Sequence, residues 1–296
     1  MRTTTAVRIG AAITASAIAL SLGTGTATAE DTDAQTAQLG MVKPQTGAPK
    51  TEVSTAKLLG KTQLRKMSSA DAEPSITAAA PDITSYNQKT IILDTPGTFI
   101  YQGSPVVTNP ENVYVLNPHL SVNGTDRGTR ELAFDGANPA YAAPGLIIDS
   151  NSPVGPARLG PADIYTQDSA NPGTWDGADP IQDATLGGTF YIKRATGSTA
   201  VTKYPFEIYR SGKKIKFMAN SWKIFQPSTG KFVGMRSIKL QYRHTNGTYS
   251  TLTTIPLNVY GTGYLWRTDT TKRRYRLLIS TTSTAQGSYS QTSPLI

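Results

Sequence analysis

The C-terminal third of the chain contains two runs of alternating apolar and polar residues joined by a turn signal, and this pattern constrains the fold more than any other feature. The first run covers residues 238–243 and the second covers residues 249–255. Between them stand Asn246 and Gly247, a pair that favours a tight turn between antiparallel strands. Because alternation puts one side of each strand against a core and the other in water, the sequence predicts a half-buried β-hairpin.

Other short runs of β-branched and aromatic residues recur along the chain, each bounded by Gly, Pro, Asn or Asp, which is typical of strands separated by turns. They cover residues 90–93, 98–101, 113–116, 146–148, 189–192, 206–209, 215–217, 222–225, 264–267 and 274–279. About seven strands in about 100 residues is the rhythm of an immunoglobulin-like β-sandwich. We therefore predict an all-β fold with two such sandwich domains, residues 82–196 and residues 197–296.

The N-terminal residues have the pattern of a secretory signal peptide. A basic stretch up to Arg8 precedes an apolar run over residues 9–22, and a small-x-small cleavage pattern ends at Ala29. The apolar run is shorter than the roughly 20 residues that a membrane-spanning helix needs. We therefore predict a signal peptide over residues 1–29, no transmembrane segment, and a secreted extracellular protein that is either free or non-covalently associated with the cell wall.

Residues 30–81 differ in composition from the rest of the chain. They contain no Phe, Tyr or Trp, and their 6 acidic and 6 basic residues stand among Ala, Thr, Ser and Gln. Such a segment has little apolar surface to bury against the loss of chain entropy on folding. We predict that residues 30–81 form a disordered spacer.

The residue inventory excludes several kinds of chemistry. The chain has no Cys, so it forms no disulfide, no thiolate metal site and no cysteine nucleophile. Its two histidines, His119 and His244, leave little scope for a histidine-rich metal centre or a histidine-based catalytic set. We therefore predict a protein that is not an enzyme and has no resident cofactor, with calcium as the one cofactor the sequence leaves open.

Five aspartates in the segment from Pro161 to Asp183 are the basis for two predictions, a calcium site and an alternative enzymatic function. In a long loop, their carboxylates are candidate ligands for Ca²⁺, although Asp-Gly and Asp-Pro pairs also occur in turns for backbone reasons alone. The same carboxylates are candidates for the acid and base of a secreted polysaccharide-active hydrolase. The five residues are Asp163, Asp168, Asp176, Asp179 and Asp183.

The charge is divided unevenly between the two predicted domains. Residues 82–196 carry 12 acidic and 6 basic residues, a net charge of −6, whereas residues 197–296 carry 2 acidic and 15 basic residues, a net charge of +13. Opposite fields favour docking of the acidic domain on the basic one, and surplus positive charge attracts polyanions.

The strand pattern also indicates which basic side chains face solvent. If Ile238 and Leu240 point into the core, Lys239 and Arg243 point outward, and a second alternating strand presents its arginines in the same way. A contiguous basic face would bind an anionic cell-wall polymer or an acidic glycan. We do not expect nucleic acid as the partner, because the aromatics of these strands fall on the core phase. The predicted ligand-binding residues are Lys213, Lys214, Lys216, Lys239, Arg243, Lys272, Arg274 and Arg276.

Several of these stretches resemble a known kind of module. Residues 206–217, 230–234, 238–243 and 273–280 are similar to bacterial immunoglobulin-like modules of secreted actinobacterial proteins and surface adhesins. The resemblance implies a sandwich fold and an extracellular setting, and it supplies no catalytic residues. Tyr275, at the start of a late strand, is a candidate for the tyrosine corner of such folds.

Overall fold

The computed structural model describes residues 34–42, 47–48, 50–52, 80–101, 105–130, 132–133, 146–171 and 173–296. Within these ranges the regular elements are strands and two short 3-10 turns, Pro110–Asn112 and Pro227–Thr229. The prediction of an all-β fold is therefore confirmed. The predicted signal peptide, residues 1–29, lies outside the described residues. In the described ranges, no helix is long and apolar enough to cross a membrane.

The strands follow one another as short segments along the chain, and the described residues belong to one compact unit. Up to the middle of the chain they are β1 Ala34–Leu39, β2 Met41–Val42, β3 Lys50–Glu52, β4 Asp82–Ser85, β5 Ile91–Leu93, β6 Thr98–Tyr101, β7 Val106–Thr108, β8 Val113–Val122, β9 Thr125–Thr129, β10 Leu132–Ala133, β11 Leu146–Asp149, β12 Gly155–Thr166, β13 Ile181–Asp183, β14 Phe190–Arg194 and β15 Thr196–Ser198. They continue with β16 Phe206–Ser211, β17 Lys214–Ala219, β18 Trp222–Gln226, β19 Lys231–Gly234, β20 Ser237–Arg243, β21 Tyr249–Pro256, β22 Gly263–Thr268, β23 Arg274–Ile279 and β24 Ser288–Ser290.

The first hydrophobic core is built on a seven-stranded sheet. Its strands run in the order β10-β8-β12-β14-β5, with β9 also paired to β8 and β13 to β12. Two smaller sheets, β11-β6-β3 and β4-β7, contribute Phe99, Ile148 and Ile83 to the same core. Over most of β8 and β12, buried side chains alternate with more exposed ones, so one side of each strand faces the core. We call this assembly the first sandwich.

The second hydrophobic core lies between two sheets near the C-terminus, and we call it the second sandwich. One sheet has four strands in the order β1-β16-β17-β22, and the other has five in the order β2-β24-β23-β20-β21. A third sheet, β15-β18-β19, has three strands. The predicted hairpin is present as β20 and β21, and Gly247 adopts the positive φ of 87° that its turn requires.

Tyr275 links the two sheets of the second sandwich through its ring. The ring is fully buried and meets the ring of Phe217 on the opposite sheet, edge to face, at a centroid distance of 4.9 Å. Its hydroxyl finds no hydrogen-bond partner among the described residues. A tyrosine corner is defined by that hydrogen bond, so the predicted corner role is wrong. Tyr275 acts as an apolar core residue.

Within the predicted disordered spacer, residues 30–81, the described residues 34–39, 41–42 and 50–52 form strands instead, and most of the remainder lies outside the described residues. Residues 34–42, which we call the N-terminal strap, pair with both sheets of the second sandwich: β1 with β16 and β2 with β24. Ala37 and Leu39 are buried in the second core. Farther along, β3 pairs with β6, and Ala48 is buried in the first core. These residues have few apolar neighbours along the chain. They become ordered because the sheets of the two sandwiches offer unpaired strand edges, and because Ala37 and Leu39 fit into the second core.

The two sandwiches meet through backbone hydrogen bonds and apolar packing. The Arg194 amide donates to the Thr284 carbonyl at 3.0 Å, and the Gln286 amide donates to the Arg194 carbonyl at 2.8 Å. Phe225 on β18 is buried in the first core, and its amide donates to the Ala195 carbonyl at 2.9 Å. In the described ranges no ion pair joins residues 82–196 to residues 197–296. The electrostatic attraction predicted between residues 82–196 and residues 197–296 therefore does not take the form of an ion pair at this junction.

Candidate polyanion-binding face

The structure places the eight predicted basic residues on two opposite surfaces of the second sandwich. Lys239 and Arg243 on β20 share the outer face of the five-stranded sheet with Arg274 and Arg276 on β23. Lys272 precedes β23. The lysines of the β16–β17 hairpin, Lys213, Lys214 and Lys216, belong to the four-stranded sheet.

The prediction of one contiguous basic face is therefore wrong. Both groups of side chains alternate outward from the core as expected, but β17 and β20 lie in different layers of the sandwich. Outward directions of two packed sheets are opposite. We keep the name basic face for Lys239, Arg243, Arg274 and Arg276.

Arg276 is held by three contacts at the centre of the basic face. Its guanidinium carbon lies 3.5 Å from the ring centroid of Tyr249 and 5.1 Å from that of Tyr289. Its Nε donates a hydrogen bond of 2.9 Å to Oε1 of Gln241, which is 8% exposed. Stacking on aromatic rings uses the faces of the guanidinium and leaves its remaining N–H donors at the edge available. The arrangement resembles the pre-positioning of arginine for a bidentate anionic group.

Arg243 and Arg274 are directly opposite each other on neighbouring strands. They are register partners in the β20–β23 pairing, and both are exposed. Like charges directly opposite on one sheet face destabilise the pairing. Arg274 donates to the Ser293 carbonyl at 3.3 Å, and Lys239 donates to Ser280 Oγ at 3.0 Å, so their partners are neutral. Within the described ranges, no acidic side chain forms an ion pair with the basic face.

An open groove of about 600 Å³ continues from the basic face at one end of the sandwich. It is lined by Arg243, Lys272, Arg273 and Arg274 together with Tyr242 and His244. The Arg273 guanidinium lies 4.5 Å from the ring centroid of Tyr242, and its Nε is buried without a hydrogen-bond partner among the described residues. A buried unpaired donor raises the free energy of the unliganded protein.

Sequence reasoning missed two contributors to this groove, Tyr242 and His244. Tyr242 is on the core phase of β20. His244, whose Nε2 lies 2.7 Å from Ser250 Oγ, was considered only for catalysis or metal binding. The available signal for Tyr242 and His244 was their position in the sequence, because they flank the predicted ligand-binding residue Arg243.

The five aspartates predicted to share a long loop belong instead to a hairpin. Asp163 lies within β12, and Asp183 ends β13, which pairs with β12. Only the segment between these strands is a loop. Sequence reasoning predicted no strand over residues 155–166, whereas the structure forms β12 there and accommodates Gly160 and Pro161 at a register shift.

Two of these carboxylates, Asp168 and Asp176, accept hydrogen bonds from their own turns. Asp168 accepts from Asn171 Nδ2 at 2.8 Å and from the Ala170 amide at 2.8 Å, and these hydrogen bonds lower the pKa of Asp168. Asp176 accepts from the Ala178 amide at 2.9 Å. These are the short-range bonds of Asx turns, so the turn explanation fits both residues.

Asp183, unlike Asp168 and Asp176, has a structural role in the first sandwich. It is 7% exposed and accepts from the backbone amides of Ile83 and Thr185, both at 2.7 Å. It therefore ties β13 to β4. Within the described ranges, no three His, Asp or Glu side chains come together as a set that could hold a metal ion. The structure thus does not assemble the five candidate calcium ligands at one point, and the hydrolase alternative stays a prediction.

Comparisons with known proteins assign no family to the chain. No protein-family model matches the chain, and no curated protein matches it. A solved structure described as Drosophila OTK, extracellular domains 3-5, is similar to it at 10% sequence identity and a TM-score of 0.20. That match covers 73% of this chain and 64% of the solved one. At such a TM-score the likeness is no basis for assigning a function or the details of a fold, and the actinobacterial resemblance gains no support from sequence comparison.

Proposed function

We propose that this chain is a secreted, non-enzymatic binding protein that attaches to an anionic polymer of the cell envelope through the basic face of the second sandwich. The observation that carries the proposal is the opposed pair Arg243 and Arg274 beside the stacked Arg276. Three guanidinium groups on adjacent strands, without an acidic partner in the described residues, form a site that an anion completes.

The hydrogen-bond donors of the basic face indicate the chemical class of the ligand. Guanidinium groups bind phosphate and carboxylate through paired hydrogen bonds, and a row of them suits a chain with repeating negative charges. A polymer with phosphodiester linkages, such as a teichoic acid, meets this requirement, and an acidic glycan is the second member of the same class. The groove with Lys272 and Arg273 extends the row beyond the sheet.

The test compares double substitutions that remove equal charge at different places. Arg243→Gln with Arg274→Gln changes the basic face, and Lys214→Gln with Lys216→Gln changes the opposite sheet. Binding of soluble polyphosphate is measured by titration calorimetry at low and high salt. We expect the first double variant to weaken binding about tenfold or more, since hydrogen bonds to charged groups contribute about 1.5–3 kcal/mol each. Screening at a few hundred millimolar salt should weaken wild-type binding as well.

A loss of binding in the Arg243→Gln/Arg274→Gln variant can be distinguished from a loss of folding, because removing two opposed like charges relieves repulsion in the folded state. The Arg243→Gln/Arg274→Gln variant should therefore melt no lower than the wild type at low salt. Co-sedimentation with cell-wall sacculi, before and after the anionic polymers are stripped, links the polyphosphate result to the envelope. Equal losses of affinity in both double variants would show that binding depends only on net charge, and would refute a specific binding face.

A further inference from the structure

The outer face of the four-stranded sheet carries exposed aromatic rings that the proposed function does not use. Tyr264 is 60% exposed and Trp266 is 58% exposed on β22, and Tyr209 is 37% exposed on β16. We call these three residues the aromatic platform. Large aromatic side chains of soluble proteins are mostly buried, so a group of exposed rings on one sheet face marks an interaction site.

The register explains why the three rings share one surface. Tyr209 pairs with Lys216, and Lys216 pairs with Trp266, so these side chains form a row across three strands. Tyr264 stands two residues before Trp266 on the same strand, about 7 Å away along it. All three rings therefore stand on regular strands rather than loops, which fixes their spacing before any ligand arrives.

Polar neighbours hold the platform in place. The Lys216 ammonium lies 5.1 Å from the ring centroid of Tyr264 and 5.6 Å from that of Trp266, close enough to both for a cation–π contact. The Tyr209 hydroxyl donates to Glu207 Oε2 at 2.8 Å, and this hydrogen bond raises the pKa of Tyr209. A cavity of about 300 Å³ lies beside Trp266 and is lined also by Lys214, Arg267 and Thr268.

We propose that the aromatic platform binds a polysaccharide chain by stacking its sugar rings. The C–H bonds on one face of a pyranose carry partial positive charge and are attracted to the negative face of an aromatic ring. The hydroxyl groups at the sugar's edge need donors and acceptors, and Lys214 and Thr268 supply them in the cavity beside Trp266. The site lies on the opposite side of the sandwich from the basic face, so it goes beyond the proposed function.

The charges of this face favour a sugar chain over single-stranded nucleic acid. A nucleic acid carries one negative charge per nucleotide and is bound by a positively charged groove that follows its backbone. Here Lys214 and Lys216 are accompanied by the Glu207 carboxylate, and Lys216 already contacts two rings. Five of the eight predicted ligand-binding residues, by contrast, lie on or beside the five-stranded sheet: Lys239, Arg243, Lys272, Arg274 and Arg276.

The experiment measures binding of the full chain to soluble mixed-linkage β-glucan, chitin oligosaccharides and polygalacturonate, with a single-stranded oligonucleotide as the competing class. The variants are Trp266→Ala, Tyr264→Ala and, as a matched control, Tyr260→Ala, whose ring is 73% exposed in the turn before β22. We expect at least one polysaccharide to bind and its affinity to fall roughly tenfold or more with Trp266→Ala. Tyr260→Ala should bind as the wild type does.

Trp266→Phe keeps a flat ring and provides a second measurement. Binding should persist in this variant, while the ligand-induced change in tryptophan fluorescence should disappear. Of the two other tryptophans, Trp222 is fully buried, and Trp175 packs against Tyr165 in the loop after β12 of the first sandwich. The Arg243→Gln/Arg274→Gln variant should bind the neutral glucan normally, which separates this site from the polyanion face.

No binding to any of the three polysaccharides would overturn the proposal, as would equal losses from Trp266→Ala and Tyr260→Ala. Preference for the oligonucleotide, lost with Trp266→Ala, would assign the platform to nucleic acid instead and would also overturn it. Far-UV circular dichroism of each variant confirms that the folded chain is being compared.

Discussion

Substitution of Leu39 by Ala tests whether the N-terminal strap belongs to the second sandwich. Leu39 is 5% exposed, packs in the second core and pairs with Phe206 at the end of β1. Replacing a buried Leu by Ala costs about 2–5 kcal/mol of the free energy of unfolding. Because β1 is an edge strand that can relax toward the cavity, we expect the lower part of that range, about 2–3 kcal/mol.

The assay is thermal unfolding of the full chain, with Gln38→Ala as the control on the same strand. Gln38 points to the opposite, exposed face, so its truncation should change the free energy of unfolding by no more than about 0.5 kcal/mol. For a chain of this size, 1 kcal/mol shifts the melting temperature by about 2–4 °C, so Leu39→Ala should lower it by about 4–12 °C.

Hydrogen exchange gives an independent measure of the same pairing. The hydrogen-bonded amides of β1 should exchange more slowly than those of an unstructured peptide, because β1 is paired along its length with β16. Equal melting temperatures for the two variants, together with unprotected amides in residues 34–39, would refute the pairing and restore the spacer prediction for this segment.

Other consequences of the structure can be measured on the same chain. Tyr275→Phe removes a buried hydroxyl without a partner in the described residues, so it should leave the urea midpoint unchanged or raise stability by up to about 1 kcal/mol; a loss above that would show a missed hydrogen bond. Asp183→Ala leaves one buried and one partly buried amide unpaired and should cost about 2–5 kcal/mol in urea unfolding, against little for the exposed Asp179→Ala; equal effects would contradict the structural role. Burial raises the pKa of Tyr86, Tyr101 and Tyr275, so the folded state keeps these phenol protons to higher pH than the unfolded chain, and stability should fall as pH rises through about 10. Phenolate absorbance followed with circular dichroism checks this: the buried tyrosines should ionise only as the chain unfolds, and full ionisation of a native protein near pH 10 would disprove it.

The sequence alone was sufficient for properties that depend on near neighbours along the chain. Alternation over residues 238–243 and 249–255 identified the hairpin, because side-chain direction in a strand has a period of two. The outward direction of Lys239 and Arg243 followed from the same rule and is confirmed. Charge segregation between the two halves could be counted directly from the residues.

Only the tertiary structure decided which strands share a sheet. Lys216 and Lys239 both point outward, yet they lie on opposite surfaces because sheet membership depends on pairing between distant strands. The aromatic platform exists for the same reason: Tyr209 and Trp266 are separated by more than 50 residues and meet through the β17 strand between them.

The N-terminal strap shows the same limit most clearly. Its residues carry no local signal strong enough to predict a strand, since Leu39, Met41 and Val42 are the only large apolar side chains of residues 30–42. They become ordered because β16 and β24, which follow more than 150 residues later, present edges to pair with. Local composition determines what a segment can do by itself, whereas long-range pairing determines what it does in the folded chain.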